Sequence, residues 1–142
     1  MYATTIATHA MPAEALRVAV DHAFAEARSC LIGCGSLAPF TIMCASDGYD
    51  IVEHHGRSAR DIYRSVRDLL VREKPEAYAF VYDGFVDVDA GHTGALICEA
   101  ACRGDAMARL MVLPYRAGAA YSFAESSICM GTVRSLFADV AR

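Results

Sequence analysis

Apolar and polar positions follow two different periods along this chain, and each change of period marks a new element. From Pro12 to about Ser29, Leu16, Ala19, Val20, Ala23, Phe24 and Ala27 recur at three- and four-residue spacing. Glu14, Arg17, Asp21 and Arg28 fall mostly on the opposite side. That spacing predicts a first helix with one apolar face. Pro12 suits a first helical position, and Gly33 and Gly35 mark the exit. Residues 1–11 ahead of it are expected to form a flexible N-terminal segment.

The period then falls to two. LAPFTIMCA, residues 37–45, reads as a strand in which Phe40, Ile42 and Cys44 alternate with Thr41 and Met43. Ser46-Asp47-Gly48 reads as a turn centred on Asp-Gly, a strong hairpin signal, and YDIVEH, residues 49–54, as the returning strand. In HHGRSARDIYRSVRDLLVREKP the helical period returns: Ala59, Ile62, Val66, Leu69 and Leu70 form the apolar face of a second helix. Ser58 is its N-cap, with Asp61 three residues on, and Pro75 closes the segment. Three strands follow, at residues 77–85, 94–102 and 107–115, the first two separated by the polar loop DVDAGHT. Arg103-Gly104-Asp105-Ala106 is expected to be a tight turn with Gly at the first central position, a type II′ pattern. AAYSFAE, residues 119–125, is a short edge strand, and Val133, Leu136, Phe137 and Val140 predict a final helix from about Thr132 to Val140.

The element order is therefore α-β-β-α-β-β-β-(β)-α, without repeat or linker. It implies a single α+β domain over residues 1–142, with a mostly antiparallel sheet and its helices set apart from it. This order resembles that of roadblock/LC7 domains, and more loosely the profilin-like α/β layers. The resemblance covers most of the chain: LAPFTIMCASDGYDIVEH as first hairpin, the Ser58–Leu70 helix, then three strands. It rests on order alone, with no motif matched residue by residue, so it carries over no functional residues. The extra strand near residues 119–125 departs from the simple pattern. What the resemblance implies is a non-enzymatic domain that works as a dimer, often as a platform for GTPases or motors.

Composition narrows the class. A hydrophobic fraction of 55% against 21% charged residues belongs to a chain with a packed core, not to a disordered one. The formal net charge of −4 counts against bulk nucleic-acid binding, which needs a basic footprint. No apolar run reaches the ~20 residues of a membrane helix. The opening MYATTIATHAMPAEAL has no basic region followed by an apolar stretch, so the expected location is the cytoplasm. No cofactor is expected.

Six cysteines are present, with small or apolar neighbours and no C-x-x-C pair. Cys30 and Cys34 would meet only on a continuous helix, and the two glycines are expected to break it. Across an extended chain four residues span about 13 Å, too far to share a metal or a disulfide. The cysteines therefore read as small core residues. Alternation puts Cys98 opposite Met111 and Cys102 opposite Met107 on a buried face, and Glu99 and Arg103 on a solvent-facing one. The alternative for Glu99 is a buried carboxyl with a raised pKa, usable as an acid or base.

Three further constellations carry chemistry. His54-His55-Gly56-Arg57-Ser58 lies where a strand hands over to a helix, whose free amides and dipole can hold an anion. An ordinary capped loop has the same residues. Of Arg57, Arg60, Arg64 and Arg67 at least three lie along one face of the second helix and could dock an acidic protein or a phosphate-rich ligand, or form a solvated face partly balanced by Asp61, Asp68 and Glu73. Asp87, Asp89 and His92 offer metal donors in a loop, but without EF-hand spacing, and turn chemistry uses the same residues. No G-x-S-x-G, G-x-G-x-x-G or P-loop occurs; a Cys34–His55 pair is imaginable as nucleophile and base, but nothing in the sequence demands it. The expectation is a non-enzymatic homodimeric binding or scaffold module that associates by helix or sheet-edge contacts. The alternative is a small enzyme or anion-binding protein whose ligand meets His54, His55, Arg57, Ser58, Arg60 and Arg64.

Overall fold

A computed structural model describes residues 2–85 and 94–137, with side chains from Glu14 onward. The elements run α1 (Tyr2–Cys34), β1 (Phe40–Ala45), β2 (Gly48–Glu53), α2 (Ala59–Glu73), β3 (Ala77–Gly84), β4 (Gly94–Cys102), β5 (Met107–Arg116), β6 (Ser122–Phe123) and β7 (Ile128–Arg134). The strands form one antiparallel sheet in the order β2-β1-β3-β4-β5, with β6 and β7 both pairing β5. The domain is α+β.

Both faces of this sheet are covered. On one, Leu16, Ala19, Ala23, Ala27 and Leu31 of α1 pack on Phe40, Ile42, Cys44, Ala77, Ala79, Cys98 and Ala100. Small residues meet small residues, so α1 comes backbone-close to β1, β3 and β4. On the other face, Val66 and Leu70 of α2 rest on Tyr78, Phe80, Ala101 and Ala108. There the contact runs through the rings of Tyr78 and Phe80. Leu136 and Phe137 join this second core. The Leu136 N–H donates to the Tyr78 hydroxyl at 2.9 Å, which pins the chain after β7 to the middle of the sheet.

The two-sided cover corrects one expectation. Glu99 does share β4 with the oppositely facing Cys98, which pairs with Met111 as the alternation requires. But Glu99 does not face solvent: it is 6% exposed, under α2. β3 and β4 are buried on both faces, so their sequences read as near-continuous apolar runs, and a lone carboxylate there sits in the core.

Four local differences have physical reasons. α1 begins at Tyr2, with Pro12 inside it instead of at its start, and it runs through Gly33 to Cys34. Cys30 and Cys34 thus stand one helical turn apart on the same side. The first hairpin turns on Ser46 and Asp47, with Gly48 already in β2 opposite Ala45. The β4–β5 turn closes through the Asp105 N–H to Cys102 O at 3.1 Å, placing Gly104 at the second central position with φ 96°, which is the type II arrangement instead of II′. Residues 128–134, expected in part as the last helix, form β7, because Val133 is needed beside Ala108 on the α2 face. Only Leu136 and Phe137 are helical among the described residues there.

Candidate functional site

The corner between β2 and α2 gathers the residues singled out by the sequence. Ser58 caps α2, its hydroxyl accepting from the Asp61 N–H at 3.2 Å. Gly56 lets the loop close down on the helix: a Cβ there would lie 2.8 Å from that of Asp61. Arg57, Arg60, Arg64 and His55 are exposed. His55 Nε2 stands 3.8 Å from the Glu53 carboxylate, a loose surface pairing.

His54 points the other way. Its N–H donates to Pro39 O at 2.8 Å, and its ring, 2% exposed, lies edge-on to Phe80. Nε2 is 2.7 Å from Thr41 Oγ1 and Nδ1 is 2.8 Å from Ser65 Oγ. A serine, a histidine and a third hydroxyl in line have the outline of a nucleophile and its base. The protons argue otherwise. Thr41 is wholly buried, and His54 is the partner of its hydroxyl among the described residues. A buried O–H must be donated, so Thr41 donates to Nε2. Nδ1 then carries the ring proton and donates to Ser65 Oγ. In this tautomer His54 cannot take the Ser65 proton. It ties β1, the end of β2 and α2 together, and burial, followed by the nearby His55, holds its pKa below the ordinary value.

Two shallow depressions flank this corner. One of about 450 Å³ is lined by Pro39, His55, Arg57, Ser58 and Ile62. The other, about 330 Å³, runs between Val52 and the outer side of α2, where Asp61, Arg64, Ser65, Asp68 and Arg72 line it. The expected ligand set is thus split. His54, almost fully buried, lies at the floor of both depressions, the Ser58 hydroxyl oxygen is occupied by its own helix, and Arg64 belongs to the second depression alone.

The sequence reading missed a second buried polar cluster. Glu99 Oε2 accepts from the Tyr82 hydroxyl at 3.0 Å and from the Tyr63 hydroxyl. Burial, the larger cause in both, and the carboxylate push the Tyr63 and Tyr82 pKa values up, Tyr82 to about 12. Tyr63 in the second helix, Tyr82 in a strand and the strand carboxylate Glu99 were all visible in the sequence; the position of α2 over Glu99 was not.

The six cysteines are all thiols. Cys44, Cys98 and Cys102 are buried, and burial pushes the pKa of each upward. Cys30 is half-buried, with its pKa raised by burial and then by Glu26, while Cys34 and Cys129 are exposed. Among the described residues no three His, Cys, Asp or Glu side chains cluster so as to hold a metal ion. Asp87, Asp89 and His92 lie outside the described residues. No helix among the described residues is long and apolar enough to cross a membrane.

Comparison with known proteins finds no family model, no curated protein and no solved structure that matches this chain.

Proposed function

We propose that this chain is a non-enzymatic binding or scaffold module that works as a homodimer in the cytoplasm. The observation that carries the reading is the β2 edge. β2 pairs on one side with β1 and on the other with nothing among the described residues. Its Tyr49 and Ile51 are 46% and 42% exposed. A sheet edge with apolar side chains is a template for a further strand. The roadblock/LC7-like order of elements supports the same reading, and six thiols suit a reducing compartment. The tautomer of His54 argues against a nucleophilic Ser65, and the thiols with raised pKa are poor nucleophiles.

Sedimentation velocity at micromolar concentration tests the reading. A species of twice the 15.3 kDa chain mass supports it; a monomer at tens of micromolar sinks it.

A second reading has one observation of its own. The Ser65 Oγ lone pair is held by His54, so its proton is offered to the groove that also holds Arg64 and Arg72. A small anion could be bound there. Isothermal titration with inorganic phosphate and with a dicarboxylate separates this reading from the first, since a module without a small-anion site releases no binding heat with either.

A further inference from the structure

The β2 edge and the outer side of α2 carry a pattern that specifies how two copies would meet. The structure points to a two-fold pairing of β2 with β2 of a second copy, centred on Ile51, which makes one continuous sheet. This rests on the homodimer reading and adds its register and its charge pairs.

The backbone settles which groups are on offer. In a two-residue hairpin the flanking pair Ala45–Gly48 exchanges hydrogen bonds, and so do every second pair beyond it. His54, six residues on from Gly48, keeps that phase by donating to Pro39. The N–H and C=O groups of Tyr49, Ile51 and Glu53 therefore turn away from β1, toward the open edge. Two copies can share five residues in two registers that bring such groups face to face. Centring on Asp50 sets Asp50 against Asp50 of the second copy, a like-charge opposition. Centring on Ile51 sets Ile51 against Ile51, Tyr49 against Glu53 and Asp50 against Val52. Beyond the strand it brings His55 level with Asp47 of the second copy. The Ile51 register is the one without a clash.

α2 carries the same symmetry independently. Asp61, Arg64, Asp68 and Arg72 line one stripe beside Val52, with signs −, +, −, + along the helix. All four are exposed, and within the described chain none is ion-paired. A two-fold axis through the β2 pair sets a second α2 antiparallel to the first, on the same face. Reversed, the order reads +, −, +, −, so a second α2 set level with the first would offer Arg72 to Asp61 and Asp68 to Arg64.

The test uses the full chain in a Cys34→Ser, Cys129→Ser background, which removes the exposed thiols. Ile51→Cys is oxidised under mild conditions beside Asp50→Cys, and both are compared by non-reducing electrophoresis. The Ile51 register predicts a covalent dimer for Ile51→Cys, because directly opposed residues lie about 5.5 Å apart at Cα. It predicts little for Asp50→Cys, whose copies are offset along the strand. Arg64→Glu should weaken dimerisation roughly tenfold, and adding Asp68→Arg should restore it, since the swapped charges still face each other. A dimer in which Ile51→Cys does not cross-link, or in which the charge swap gives no rescue, overturns the register while leaving the homodimer standing. A monomeric parent overturns both.

Discussion

At the scale of single residues, two buried polar clusters hold α2 to the sheet, and both respond to mutation in distinct ways. His54→Ala would leave the Thr41 hydroxyl buried without an acceptor and open a cavity, so a loss of about 2–4 kcal/mol is expected in urea unfolding. The pH dependence follows from the lowered pKa of the folded state. As pH falls through the ordinary value of 6.5, the unfolded chain takes up a proton that folded His54 refuses. Stability is therefore full above that pH and declines below it. The variant should lose this acid slope, and an unchanged slope would mean that other groups cause it. Glu99→Ala should cost about 1–3 kcal/mol by stranding two tyrosine hydroxyls, whereas Glu99→Gln keeps an acceptor and should cost less. Equal losses in both would show that the carboxylate's charge, not its accepting oxygen, matters. Of these clusters the sequence showed the members and not the contacts. Ser58 was legible as a cap because capping is local. Thr41, Ser65 and Tyr63 were not legible as partners, because each meets a residue from a distant element.

At the scale of elements, β3, β4 and β5 were legible almost to the residue, since they announce themselves by β-rich runs bounded by turns, while β6 is shorter than expected and β7 was not foreseen as a strand. The limits of α1 were not legible, whereas Ser58 and Pro75 bracket α2 as expected. Gly33 and Pro12 are poor helix residues, yet α1 includes both. Propensity yields here to tertiary packing, which for α1 is a close fit of small residues on both sides. Ala23 is fully buried in that fit. Ala23→Leu should therefore overpack it and cost about 1–3 kcal/mol or more. On the face covered by α2, where contact runs through longer side chains, Val66→Ala would leave a void instead. A thiol count tests the layer assignment. Ellman's reagent on the native protein should titrate Cys34 and Cys129 quickly and Cys30 more slowly. Cys44, Cys98 and Cys102 should react only on unfolding. Rapid reaction of all six would mean that α1 does not cover its face of the sheet. The last helix was expected to begin too early because Thr132, Val133 and Arg134 fit either period; the pairing of Val133 with Ala108 decides for the strand, Leu136 and Phe137 are helical, and the expected end at Val140 lies outside the described residues.

At the scale of the whole molecule, the α+β class follows from the element order, while the cover on both faces of the sheet does not. That cover is what turned Glu99 inward and split the expected ligand set, leaving His54 as a tie beneath the surface and the arginines outside. It also leaves the β2 edge as the place where backbone groups, exposed apolar side chains and an ordered row of charges coincide. The proposed dimer has its contact at that edge. Ile51→Lys should break it, because a lysine on the symmetry axis meets its own copy, while the fold is kept, since residue 51 is exposed. Sedimentation equilibrium on the native chain and on Ile51→Lys is the most direct measurement. A dimer for the native chain and a folded monomer for the variant are the predicted results. A native monomer, or a dimer that Ile51→Lys leaves unaltered, would contradict the assignment of this edge.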